Sequence, residues 1–94
     1  MGGEITVRLP AVLANLVGEK RFRDSGETIG EALGDLVRQQ PGLEAHFFDD
    51  AGALRHHVLC FHNEVYARGN KGLARPIQPG DEITIVNSVA GGMG

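Results

Sequence analysis

Pro79-Gly80-Asp81-Glu82-Ile83-Thr84-Ile85-Val86-Asn87-Ser88-Val89-Ala90-Gly91-Gly92-Met93-Gly94 is the stretch on which the fold turns. Pro79-Gly80-Asp81 reads as a turn, because proline presets one backbone angle and glycine tolerates a positive one. Glu82 to Val86 then alternates polar and apolar side chains, the period-two pattern of a half-buried strand. Beyond the strand comes a glycine pair. Glycine brings no side chain to pack and costs backbone entropy to order, so Gly91-Gly92 has no duty in a core. It does make a thin strand that can thread a narrow channel.

Working back toward the N-terminus, Ile5, Val7 and Leu9 alternate with Thr6 and Arg8, which predicts a first strand closed by Pro10. Residues 10–19 read as a loop or wide turn, with Leu13, Leu16 and Val17 available to pack. Lys20-Arg21-Phe22-Arg23 reads as a second strand returning antiparallel to the first. Thr28 followed by Glu31 forms a capping box ahead of a helix. Ile29, Ala32, Leu33, Leu36 and Val37 share one helical face, and Pro41-Gly42 ends the element. Gly30 and Gly34, each costing about 1 kcal/mol against alanine in a helix interior, suggest that a neighbour approaches the helix closely. Leu43 and Phe47 sit on a short helical turn over the core, and 49–52 is a loop. Residues 58–61 form a strand, Asn63-Glu64 a tight turn into 65–67, and Gly69-Asn70-Lys71-Gly72 another turn.

Hairpins flanking one main helix predict an α+β domain, with that helix packed on one face of a mixed sheet of about four to five strands. The first and last strands lie side by side at its centre, which is the β-grasp (ubiquitin-like) arrangement. Residues 1–88 make up this domain, and 89–94 a flexible C-terminal tail.

Bulk composition narrows the function classes. The 94 residues are 41% hydrophobic and 22% charged with a net charge of −3, which fits one globular domain. No block of lysine or arginine offers itself to a nucleic-acid backbone. No apolar run approaches the roughly 18 residues of a membrane span, and none reads as a signal peptide. A single cysteine, Cys60, fits a reducing cytoplasm, so cytoplasmic localisation is expected.

With Pro79-Gly80-Asp81-Glu82 leading into Ile83-Thr84-Ile85-Val86 and then Val89-Ala90-Gly91-Gly92, the chain resembles the ubiquitin-like sulfur carrier proteins, which include MoaD-like, ThiS-like and CysO-like members. Asn63-Glu64-Val65 and Thr28 also fit. The resemblance covers essentially the whole chain. It implies that the carboxylate of Gly92, presented through Gly91, is adenylated by an E1-like enzyme using ATP. The acyl adenylate then becomes a thiocarboxylate that donates sulfur to a biosynthetic enzyme. The carrier binds no cofactor and is not itself an enzyme; it supplies a terminus and a docking surface. An extended segment from Val89 to Gly92 reaches about 13 Å, enough to enter a buried site.

One departure bears on that chemistry. Met93-Gly94 follows the glycine pair, so Gly92 carries no free carboxylate as written. The reading adopted is a precursor cut between Gly92 and Met93 by a JAMM-type metallopeptidase. Activation of Gly94 itself, or an extension foreign to the natural terminus, are the other readings.

The remaining candidates read as structure or surface. His56, His57 and His62 surround one strand, but adjacent His56 and His57 point to opposite faces and cannot easily share an ion, so no metal site is expected. Alternation places Leu59 and Phe61 in the core and Cys60 on the opposite face, partly exposed. Glu31, Asp35, Asp49 and Asp50 read as solvated charges without a partner base. Exposed apolar residues on the outer sheet face, Tyr66 and Val86 with Val89 and Ala90 of the tail, are the expected partner-binding set. Two rival functions stand beside the carrier. One is a ubiquitin-like modifier conjugated through Gly92, the other a non-catalytic β-grasp binding domain.

Overall fold

The computed structural model describes residues 4–87. Strand β1 (Glu4–Arg8) is followed by helix α1 (Ala11–Val17), strand β2 (Arg21–Ser25) and the main helix α2 (Ile29–Gln39). A 3-10 turn (Pro41–Leu43) leads into the short helix α3 (Glu44–Phe47), then come strands β3 (Val58–His62) and β4 (Val65–Ala67), a helical turn α4 (Gly69–Gly72) and strand β5 (Glu82–Asn87). The five strands form one sheet in the order β2-β1-β5-β3-β4. The central pair β1/β5 is parallel and every other pairing is antiparallel. This is the β-grasp arrangement.

One sheet face is dry. Ile5 and Val7 of β1, Phe22 of β2, Cys60 of β3 and Ile83 and Ile85 of β5 meet Ile29, Ala32, Leu33 and Leu36 of α2 in a single core. Leu43 and Phe47 close its open end, both fully buried as expected. Each such apolar side chain contributes roughly 1.5–3 kcal/mol of burial.

Helix α2 begins where its cap predicts. The Glu31 amide donates to Thr28 Oγ1 at 3.1 Å, while the Glu31 carboxylate accepts from the Glu27 amide at 2.9 Å, one residue further back than in the usual box. The Ile29 and Gly30 amides, left without partners inside the helix, donate to the carbonyls of Arg75 and Leu73. Close approach therefore explains Gly30, whose Cβ would lie 3.1 Å from that Leu73 oxygen. It does not explain Gly34, which faces open space.

Three local expectations are corrected. Residues 10–19 contain α1 rather than a loop. Pro10 ends the strand in extended backbone and its carbonyl accepts from Leu13 and Ala14, while Gly18 closes the helix at φ 89°. Buried Leu13, with Ala14 and Val17 packed against the core, stabilises a seven-residue helix too short to stand alone. The turn at 69–72 is one turn of helix, α4. The second strand lies slightly later than expected and carries Asp24 into the interior.

The phase of β3 is also reversed. Cys60, 1% exposed, faces the core opposite Ile85, whereas Leu59 and Phe61 lie half-buried on the outer face. Residues 58–61 are all apolar, so alternation within the strand carries no phase; the register against β5 sets it.

Candidate functional site

The predicted site divides between the described domain and the tail. Gly91, Gly92, Met93, Val89 and Ala90 lie outside the described residues. Val86 and Tyr66 are described, and both stand on the outer face as expected, 37% and 45% exposed.

Their surroundings follow from the register. Val86 sits beside Leu59, Thr84 beside Phe61, and Phe61 beside Tyr66 on the other side. The Phe61 and Tyr66 rings lie 5.4 Å apart, tilted by 35°. Leu59, Val86, Phe61 and Tyr66 thus make an apolar half-face on β3, β4 and β5. Sequence reasoning missed Leu59 and Phe61 because it had placed them in the core. Cross-strand pairing with Ile83 and Ile85, whose alternation was legible, is the signal that would have corrected the phase.

The other half of the face is charged. Arg8 of β1 stands near Glu82, Nε to Oε2 3.8 Å, Arg23 of β2 near Glu4, Nη1 to Oε2 3.7 Å, and Arg21 lies across from Arg8. The Arg23–Glu4 pair is exposed, and pairs of this kind add little stability, about 0–1 kcal/mol. They do mark the face as one that pairs an apolar patch with fixed charge.

The turn that launches β5 is braced from three sides. His62 is not a solvated histidine: its side chain is only 13% exposed. Arg75 Nε donates to His62 Nδ1 at 2.8 Å, which leaves Nε2–H to donate to Asp81 Oδ2 at 2.6 Å. The same oxygen accepts the Gln78 amide at 2.8 Å. These bonds hold the Asp81 carboxyl below the usual carboxylate range, with the His62 bond the largest cause. Asn63, at φ 56°, exchanges two bonds with Glu82: its amide donates to the Glu82 carbonyl at 2.7 Å and its Oδ1 accepts the Glu82 amide at 2.9 Å.

None of these groups is arranged as a reacting centre. Both ring nitrogens of His62 are engaged, His56 and His57 are exposed, and burial pushes the Cys60 thiol up to about 11. Among the described residues, the outer face offers apolar side chains beside charged ones and no group placed to react.

The sequence model of the ThiS family matches residues 7–92. The chain belongs to the ThiS family. Among the relatives of this ThiS-family chain is the sulfur carrier protein CysO of Mycobacterium tuberculosis, 34% identical over 91 residues that cover 94% of this chain and 98% of the relative. Small archaeal modifier protein 1 of Haloferax volcanii is 36% identical over 89 residues, covering 90% and 97%. Its crystal structure superposes with a TM-score of 0.82 at 33% identity, covering 96% of this chain and all of that one. The CysO of Amycolatopsis orientalis, solved as a BexX/CysO complex, gives a TM-score of 0.81 at 29% identity, covering 94% and 99%. The ThiS-family chain is thus akin to proteins named as carriers and modifiers. Among its described residues, no helix is long and apolar enough to cross a membrane.

Proposed function

We propose that this protein is a sulfur carrier whose working terminus is Gly91-Gly92. The observation that carries the reading is the extent of the family match, which runs through Gly92 and leaves Met93-Gly94 outside it. Strand β5, between β1 and β3, ends at Asn87, with Ser88, Val89 and Ala90 between it and Gly91 in the sequence, which supports a reading in which the domain holds the base of the tail and the tail serves a partner.

In this reading a JAMM-type metallopeptidase hydrolyses the Gly92–Met93 peptide bond and frees the Gly92 carboxylate. An E1-like enzyme then lets that carboxylate attack the α-phosphate of ATP, giving the acyl adenylate and pyrophosphate. A sulfide equivalent displaces AMP, leaving a thiocarboxylate. That group delivers its sulfur to an acceptor enzyme. The apolar half-face of Leu59, Val86, Phe61 and Tyr66, with Val89 and Ala90 of the tail, docks the activating enzyme. A carrier partnered with an enzyme is consistent with the BexX/CysO complex of the A. orientalis relative.

Intact mass of the protein from its native cells tests this. Loss of Met93 and Gly94, with sulfur in place of one oxygen at the new terminus, is the expected result. An uncleaved mass under every growth condition, sulfur limitation included, would overturn it.

The relationship to a small archaeal modifier protein favours one second reading, conjugation of Gly92 to lysines of other proteins. It predicts a cleaved, sulfur-free terminus together with lysine–Gly92 isopeptide bonds in cell extracts.

A further inference from the structure

We propose that Asp24 is a neutral carboxylic acid in the folded protein and donates its proton to the Asp35 carboxylate, latching the edge strand β2 to helix α2 with a pH-sensitive bond. The role is independent of the sulfur chemistry.

Geometry carries the assignment. Asp24 is the one charged residue among the buried side chains of the described core, only 4% exposed. Its Oδ1 accepts the Ser25 amide at 2.8 Å, but its Oδ2 is buried and receives no donor. A buried carboxylate oxygen without a donor is costly, and an ionised one more so. Gln39 Nε2 bonds both the Arg23 carbonyl and Asp35 Oδ2 at 3.2 Å, which brings the Asp35 carboxyl of α2 against β2 beside Asp24. Two carboxylates cannot bond each other; an acid and a carboxylate can, through one short O–H···O⁻ bridge.

The neighbours decide which of the two keeps the proton. Asp35 Oδ1 accepts from Arg38 Nη2 at 2.9 Å and its Oδ2 from Gln39 Nε2 at 3.2 Å, so Asp35 is the one held ionised. That Gln39 amide also reaches the Arg23 carbonyl at 3.2 Å, a second tie between α2 and β2. From β1, the strand on the other side, Asp24 faces Ile5, which does not titrate. Glu31, at the rim of the same cleft, has its carboxylate engaged by the Glu27 amide. Among the described residues, the cation acting on Asp24 is Arg38, which is itself paired with Asp35 at 2.9 Å. Desolvation and the Asp35 bond accordingly raise the Asp24 pKa to about 8, while the same bond lowers that of Asp35.

The linkage has a definite sign. A carboxyl group with a raised folded pKa binds its proton more tightly in the folded state. Its contribution is full below the ordinary value of 3.8 and is lost as pH rises through about 8. Once Asp24 ionises, an edge strand carries a bare inward charge against a second carboxylate, and β2 loosens from α2.

The test is a carboxyl-carbon NMR titration of the full chain from acid to alkaline pH, with melting curves of wild type and Asp24→Asn. The expected result is that Asp24 titrates near 8 and Asp35 below the ordinary range. Asp24→Asn, whose amide can still donate to Asp35, should remove the loss of melting temperature that wild type suffers between pH 6 and 9. An Asp24 midpoint in the ordinary carboxylate range would overturn the proposal. So would a variant whose melting temperature falls with pH as steeply as wild type. The wild-type titration decides the matter even if the variant does not fold.

Discussion

Replacing Gly34 by alanine should raise the melting temperature by about 3–5 °C, whereas the same change at Gly30, one turn earlier, should leave it unchanged or lower it. Both glycines lie in α2, so helix propensity alone would favour both substitutions. At Gly34 a new Cβ meets nothing within 4 Å, and the full interior gain of about 1 kcal/mol is available. At about 2 cal/mol/K per residue, a chain of 94 residues has an unfolding entropy near 0.2 kcal/mol/K, so 1 kcal/mol corresponds to ~5 °C. At Gly30 the new Cβ falls 3.1 Å from the Leu73 carbonyl oxygen and 3.3 Å from the Leu73 Cβ. The Leu73 carbonyl is the acceptor of the Gly30 amide at 2.8 Å, so moving it away lengthens a bond that caps the helix. Overpacking of this kind costs about 1–3 kcal/mol, more than the reduced propensity gain in a first helical turn. Thermal melts followed by circular dichroism, with urea midpoints as a cross-check, measure both variants. An equal rise at the two positions would refute the close approach of the 73–75 segment to the helix start.

Three further outcomes are expected. Phe61→Asp and Val86→Asp should cut thiocarboxylate formation by the activating enzyme at least tenfold while shifting the melting temperature by less than about 3 °C, because both side chains lie on the outer face; unchanged activation kinetics would remove this face from the docking surface. Native Cys60 should resist iodoacetamide at pH 8 and react only on unfolding, since it is buried and its thiol is pushed to about 11; rapid labelling of folded protein would mean β3 has the opposite phase. Asp81→Asn should flatten the loss of stability in acid: a carboxylate with a lowered folded pKa stabilises above the ordinary value of 3.8 and loses that contribution as pH falls below it. Identical acid-unfolding profiles for wild type and variant would show that the Asp81 bonds to His62 and Gln78 contribute nothing.

What was legible in the chain was what is encoded locally. The Thr28 and Glu31 cap, the apolar stripe of α2 and the Pro79-Gly80 turn each specify an element within a few residues, and each lies where expected. What was missed depends on partners far along the chain. Helix α1 is stable only because Leu13 finds the core, and Val-Leu-Cys-Phe has no phase until Ile85 sits opposite Cys60. His62 reads as a surface residue until Asp81, 19 positions later, and Arg75, 13 later, close around it. Asp24 beside Arg23 carries no local sign of burial, and only packing against α2 makes it an interior group. Of the expected partner-binding residues, Val86 and Tyr66 lie exposed on the outer face, and the observed phase of β3 sets Leu59 and Phe61 beside them.

The division of labour in this fold follows from where its hydrogen bonds are spent. Strand β5 lies between β1 and β3: Glu82, Ile83 and Thr84 pair with β1, residues 83–87 pair with β3, and Glu82 is further tied to Asn63. Opening such a strand requires breaking the sheet at its centre, which places it at the high end of local stability. The turn before it is clamped by Asp81, His62 and Arg75, so neither end of the 79–82 segment can slide along β1 without losing several charge-assisted bonds. Among the described residues, α2 covers the inner face together with α1, Leu43 and Phe47, and no element covers the apolar side chains of the outer face. In the proposed reading the domain contributes a fixed base and a docking face, and the chemistry at the residues beyond β5 is brought by the activating enzyme.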